Sequence, residues 1–149
     1  MRDLYHNALP VSLAIPVDQA GTDAWSKYVD LAGSHGCIIT VHVGDLTGVD
    51  GSNYLTPVLY EATATPASAG SYSAVAASDL LGGFSKIDAT TEDSTIQTVG
   101  YKGICRYVAV KCDYTGTGIT AGCVSVEGYV AFSDHEPTSG RTVTTGTVS

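Results

Sequence analysis

The chain has 149 residues, 44% of them hydrophobic and 15% charged, a length and composition that suit one folded domain with its own core. Gly, Ser and Thr occupy 17, 14 and 18 positions, which favours many strands joined by many turns and disfavours long helices. Seven basic residues against 15 acidic ones give a net charge of −8; the few cations are scattered from Arg2 to Arg141, which argues against a nucleic-acid-binding face.

The first apolar run, ALPVSLAIPV at 8–17, is broken by Pro10, Ser12 and Pro16. It reads as neither a signal peptide nor a membrane span. With two prolines and no sustained alternation, residues 1–20 are expected to form an extended N-terminal arm. Strand-like runs then follow: WSKYVDL (25–31), a turn at 32–36, and CIITVHV (37–43), where Cys37, Ile39, Val41 and Val43 alternate with Ile38, Thr40 and His42. That period of two predicts a strand buried mainly on one face. The segment 45–53 reads as a surface turn before YLTPVLYEATA (54–64), which Pro57 confines to a sheet edge or a bulge.

YSAVA (72–76) reads as a strand, 78–87 as an irregular connection and 88–94 as a polar turn. STIQTVGY (94–101) leads through Lys102 and Gly103 into ICRYVAVKC (104–112), and CVSVEGYVAF (123–132) returns after a Gly-rich loop. The last two runs predict a hairpin. Residues 134–149, rich in Thr, Gly and Ser, are expected as a C-terminal arm. The body at 21–133 is therefore read as an all-β, antiparallel two-sheet sandwich, jelly-roll-like, with extended N- and C-terminal arms.

No catalytic grouping emerges. Ser34 and His35 are adjacent on a turn and point different ways, and no GxSxG string occurs. His6, His35, His42 and His135 lie on separate segments without HxH or HxxxH spacing, and the four cysteines lack CxxC spacing. No metal or cofactor is expected on these patterns, and the sparse cysteines suggest reduced thiols in a cytoplasmic product. GTGITAG (116–122) precedes an apolar β run, where a phosphate loop needs a helix. The aromatics, nine Tyr and one Trp against two Phe, suit partly wet interfaces or a carbohydrate platform built on Trp25, Tyr54 or Tyr60.

The blocks VDLAGSHGCIITVHVGDL (29–46), LTPVLYEATA (55–64) and VGYKGICRYVAVKC (99–112) resemble the cement or decoration proteins of tailed-bacteriophage heads. The third carries a GYxGxxRYV pattern as Gly100, Tyr101, Gly103, Arg106, Tyr107 and Val108. The resemblance covers roughly residues 17–132. It implies a jelly-roll-like sandwich, made in the host cytoplasm and assembled as a dimer or trimer on the outside of an icosahedral capsid. Such a protein would bind the major capsid protein and itself, but no nucleic acid or membrane, and would catalyse nothing. Partner contacts are expected on Leu4, Tyr5, Leu9, Pro10, Val11, Leu13 and Ile15 of the first arm, on Tyr101 and Arg106, and on Arg141 and Val143 of the second. Arg106, the only Arg in an expected core strand, needs a carboxylate or carbonyl partner of its own. The alternatives are another virion component, from the tail, head-completion or fibre-base parts, and a jelly-roll glycan-binding module.

Overall fold

The alternation at 37–43 is the centre of a longer strand, and similar runs build the rest of the molecule. A computed structural model describes residues 8–18, 21–132 and 143–148. Its strands are β1 (Ala8–Asp18), β2 (Ala24–Trp25), β3 (Tyr28–Asp30), β4 (Ser34–Thr47), β5 (Tyr54–Ala62), β6 (Ser73–Ala74), β7 (Leu80–Leu81), β8 (Thr95–Tyr101), β9 (Tyr107–Thr115), β10 (Ala121–Phe132) and β11 (Thr145–Gly146). Sheet 1 runs β1-β10-β4-β8-β7 and sheet 2 runs β11-β3-β9-β5-β6, with β2 also on β9. Every pairing is antiparallel. Counting β1, β3, β4, β5, β6, β8, β9 and β10 as strands one to eight, the sheets read 1-8-3-6 and 2-7-4-5. That is the two-Greek-key order of a jelly roll.

The core lies between the sheets and is supplied by every second residue. Cys37, Ile39, Val41 and Val43 of β4, Val124, Val126 and Val130 of β10, and Val108, Val110 and Cys112 of β9 are all buried. Each such aliphatic side chain stabilises the fold by about 1.5–3 kcal/mol relative to an exposed one. Leu55, Ile87 and Leu46 close the same cluster. A smaller cluster on the far side of sheet 2 joins Ala62, Tyr72, Tyr107 and Ala109, packed by Trp25, Tyr28, Tyr60 and Val148.

Three expectations are corrected. Residues 8–18 do not extend from the body as an arm; they are the edge strand β1, paired along β10 from Ala8↔Ala131 to Asp18↔Cys123. The register shifts between Ser12 and Ala14 and again before Val17, so inward positions fall at Val11, Leu13 and Ala14 and the period of two is lost from the sequence. The prolines are tolerated because β1 lies at an edge. Within the expected C-terminal arm, Thr145 and Gly146 pair with Val29 and Tyr28 of β3.

The third correction concerns the predicted hairpin. β9 and β10 do not pair with each other: β9 lies between β3 and β5 in sheet 2, β10 between β1 and β4 in sheet 1. Both strands are apolar on one face, and facing each other across the core buries both faces. The connecting loop follows that route, with Ile119 buried and Gly116 at φ +81°. Pro57, by contrast, sits as its backbone requires. Among the described residues the outer side of β5 is bridged at Leu55 by Ile87, at Leu59 by the Val75 amide, and at Tyr60 and Glu61 by β6. The expected strand at 25–31 is interrupted at Ser26 and Lys27. There the buried Ser26 hydroxyl accepts from the Val110 amide (2.9 Å) and donates to the Lys27 carbonyl (2.8 Å).

Candidate functional site

The nominated contact residues fall into several environments. Leu4, Tyr5 and Arg141 lie outside the described residues. Leu13 and Tyr101 are core residues, 1% and 3% exposed. Leu9 and Val11 are half-buried, and Val11 and Val143 pack against the main cluster. Pro10 is exposed on the outward face of sheet 1. Ile15 is 70% exposed and lines a groove of about 280 Å³ with Ser12, Trp25, Lys27 and Thr147. The groove therefore joins β1 to the C-terminal segment, bringing together parts of both segments nominated from the sequence.

Tyr101 and Arg106 flank the loop 102–106. The Tyr101 hydroxyl donates to Glu61 Oε2 (2.6 Å) and accepts from the Cys105 amide (3.0 Å), so it fixes the loop from inside the sandwich. Arg106 meets Asp30 through two parallel bonds, Nε to Oδ1 and Nη2 to Oδ2, both 2.7 Å. This bidentate fork is the strong form of an Arg–carboxylate contact. It joins the start of β9 to the end of β3. Ile104, between them, is fully exposed.

The Arg106 guanidinium holds the Asp30 carboxyl below its ordinary value of 3.8. Asp23 is also lowered, chiefly by the bond it accepts from the Tyr114 amide and also by Lys111. A carboxylate with a depressed folded-state pKa adds stability that is present above its unfolded pKa and is lost as the pH falls through the folded value. The expected outcome is a melting temperature that falls below about pH 4. Asp30→Asn should lower the melting point at neutral pH, and its difference from the unsubstituted chain should shrink in acid. Thermal unfolding followed by circular dichroism across that range checks this.

The outward face of sheet 1 forms three cross-strand rows. Pairing places Pro10, Tyr129, Ile38, Gly100 and Leu81 side by side. The next row is Ser12, Glu127, Thr40 and Thr98, and the third is Ser125, His42 and Ile96. Tyr129, Ile38, Leu81 and Ile96 are exposed, with the Leu81 side chain lying over Gly100, where a Cβ would come within 3.1 Å of it. In the middle row the Thr40 and Thr98 hydroxyls bond each other (3.2 Å). Glu127 Oε2 lies 3.8 Å from His42 Nε2. Of this face, sequence reasoning nominated only Pro10. The available signal was Ile38 and Ile96, large apolar residues out of phase with the buried positions of their strands.

Several of the aromatics are engaged with one another. Trp25 packs 4.9 Å from Tyr60 and 5.4 Å from Tyr72 between ring centroids, and Tyr28 meets Tyr107 edge-on at 5.4 Å. Lys86 lies over the Tyr54 ring at 4.6 Å. Cys37 and Cys112 are buried free thiols, each pushed up to about 12 by burial, so neither is a nucleophile at neutral pH. Among the described residues no cluster of three or more His, Cys, Asp or Glu side chains is arranged to hold a metal ion. No helix among them is long and apolar enough to cross a membrane. The chain matches no protein-family model and no characterised protein in sequence comparison.

Proposed function

We propose that this protein is a non-enzymatic virion component that binds the outside of an icosahedral phage capsid and stabilises the shell by bridging neighbouring capsid subunits. The observation that carries the reading is the side of the sandwich formed by β1 and the C-terminal segment. There the exposed Ile15 and Thr147 share one groove beside an edge strand of 11 residues. Apart from the Lys27 amide, which donates to the Leu13 carbonyl (2.8 Å), no strand runs along the outer side of β1 among the described residues. A capsid surface loop or strand can lie against that side, as extended segments do at open sheet edges. The GYxGxxRYV resemblance points the same way, and here its Tyr and Arg brace the loop 102–106.

A cement protein needs many modest contacts made in parallel, and repetition over a particle turns each into strong retention. A rigid sandwich presenting a groove in which Ile15 and Trp25 lie among polar side chains is suited to that. The test uses purified shells of the phage that encodes the chain, stripped of this protein and then saturated with purified variants. Ile15→Asp should reduce occupancy by about tenfold or more, since a change in one contact is multiplied across linked sites, while leaving the melting temperature in place. Undiminished occupancy of Ile15→Asp, or failure of the unsubstituted chain to bind shells, would remove the reading.

A further inference from the structure

The outward face of sheet 1 has three properties that together select its occupant. It carries large exposed apolar side chains at both ends, Ile38, Tyr129 and Leu81 in the first row and Ile96, beside Ser125 and His42, in the third. It is nearly free of charge: between the Pro10–Tyr129 row and the Ser125–His42 row its one carboxylate is Glu127, with His42 beside it. It is also large. Four strands about 4.8 Å apart and three rows two residues apart cover roughly 400 Å², and the relief of the side chains raises the accessible area above that. Two such faces together approach the ~1,000 Å² that a specific interface needs.

We propose that a second copy of this chain docks on this face, sheet 1 against sheet 1, about a two-fold axis. A chain carrying −8 repels its own copies, so self-association requires a surface where the charge is absent or compensated, and this face meets that condition. A two-fold interface must also be self-complementary. The first row is apolar, the second polar and the third mixed, with Ile96 beside Ser125 and His42. An axis across the strands through the middle row therefore lays Ile96 of each copy on Gly100 and the overlying Leu81 of the other, and Ile38 on His42. Stacking at the ~10 Å spacing of packed sheets then extends the sandwich to four layers. The middle row enters at low cost where Thr40 and Thr98 already satisfy each other. It is costly at Glu127, whose side chain is 49% exposed, would lose water and would face its own counterpart across the axis.

The inference rests on the shell-binding role for its purpose but not for its geometry, because the isolated protein tests it. Sedimentation and light scattering of the purified full chain, over a concentration series reaching the micromolar range, should show a reversible dimer. Ile38→Asp should weaken it by about 100-fold or more and Ile96→Asp should do the same, each placing two carboxylates in the interface. Both positions are exposed, so circular dichroism should report an intact fold. Glu127→Gln should tighten the dimer by about tenfold. Ile15→Asp, on the groove side, should leave it unchanged.

A chain that stays monomeric, a trimer, or a dimer indifferent to Ile38→Asp and Ile96→Asp would overturn the proposal, as would a dimer broken by Ile15→Asp instead. The two readings separate cleanly. A monomer in solution that still saturates shells sinks only the dimer, and a dimer that ignores shells sinks only the shell-binding role.

Discussion

Replacing Leu13 by alanine should destabilise the protein by about 3 kcal/mol, the usual cost of emptying a buried leucine site, and lower its melting temperature by roughly 6–12 °C for a chain of this size. Leu13 is 1% exposed and belongs to the main cluster, although it lies only six residues into the described chain. The loss combines the burial energy of three carbons with the cavity left between β1 and the sheets. A Leu13 side chain on a detached arm would give the opposite pattern, an unchanged melting point and weaker partner binding. Thermal unfolding of Leu13→Ala beside Ile15→Ala makes the distinction. The exposed neighbour should shift stability by no more than about 0.5 kcal/mol.

Gly48→Ala should cost a similar amount, about 3 kcal/mol, for a backbone reason. Gly48 has φ +88°, and a Cβ there would lie 2.0 Å from the Gly118 carbonyl oxygen. Two loops meet at this point. The Thr120 amide donates to the Thr47 carbonyl (3.1 Å), and the Gly118 amide donates to Asn53 Oδ1 (2.7 Å). An added methyl group must therefore strain residue 48 or push apart the loops that close this end of the sandwich. Gly51→Ala is the matched control, since a Cβ at Gly51 meets no atom within 4 Å. Denaturant melts should show the first variant strongly shifted and the second within about 0.5 kcal/mol of the unsubstituted chain.

The strands that could be read from the sequence are those whose register is unbroken. In β4 the alternation at 37–43 maps directly onto the buried face, and Pro57 marked an open side of β5. β1 was missed because its two register shifts destroy the period on which such reading depends. The β9–β10 error has a different origin. Two apolar strands separated by a Gly-rich loop look alike whether they pair within a sheet or face each other across a core, and only the partners β5 and β4 decide between these.

The candidate surfaces were less legible. Ile15 was singled out from the sequence, but its groove depends on Trp25, Lys27 and Thr147 converging from distant segments. Tyr101 was expected at a partner contact and instead turns inward to Glu61, since a tyrosine buries its ring readily when its hydroxyl finds a partner. Ile38 and Ile96 were passed over because a strand with one well-formed apolar face gives little reason to inspect the other.

The pairing of β1 with β10 and of β2 and β3 with β9 bears on how the molecule is made. The strands β1, β2 and β3 have ladder partners at 107–131, and β3 also at 145–146, so on a translating ribosome they must wait, unpaired, until about eighty or more further residues have been made. Closing so long a loop is entropically slow, and an aliphatic strand left waiting is a target for chaperones and for mispairing with neighbouring nascent chains. Synthesis halted after β8 would leave β1 without its partner, so folding begins in earnest only when β9 and β10 emerge.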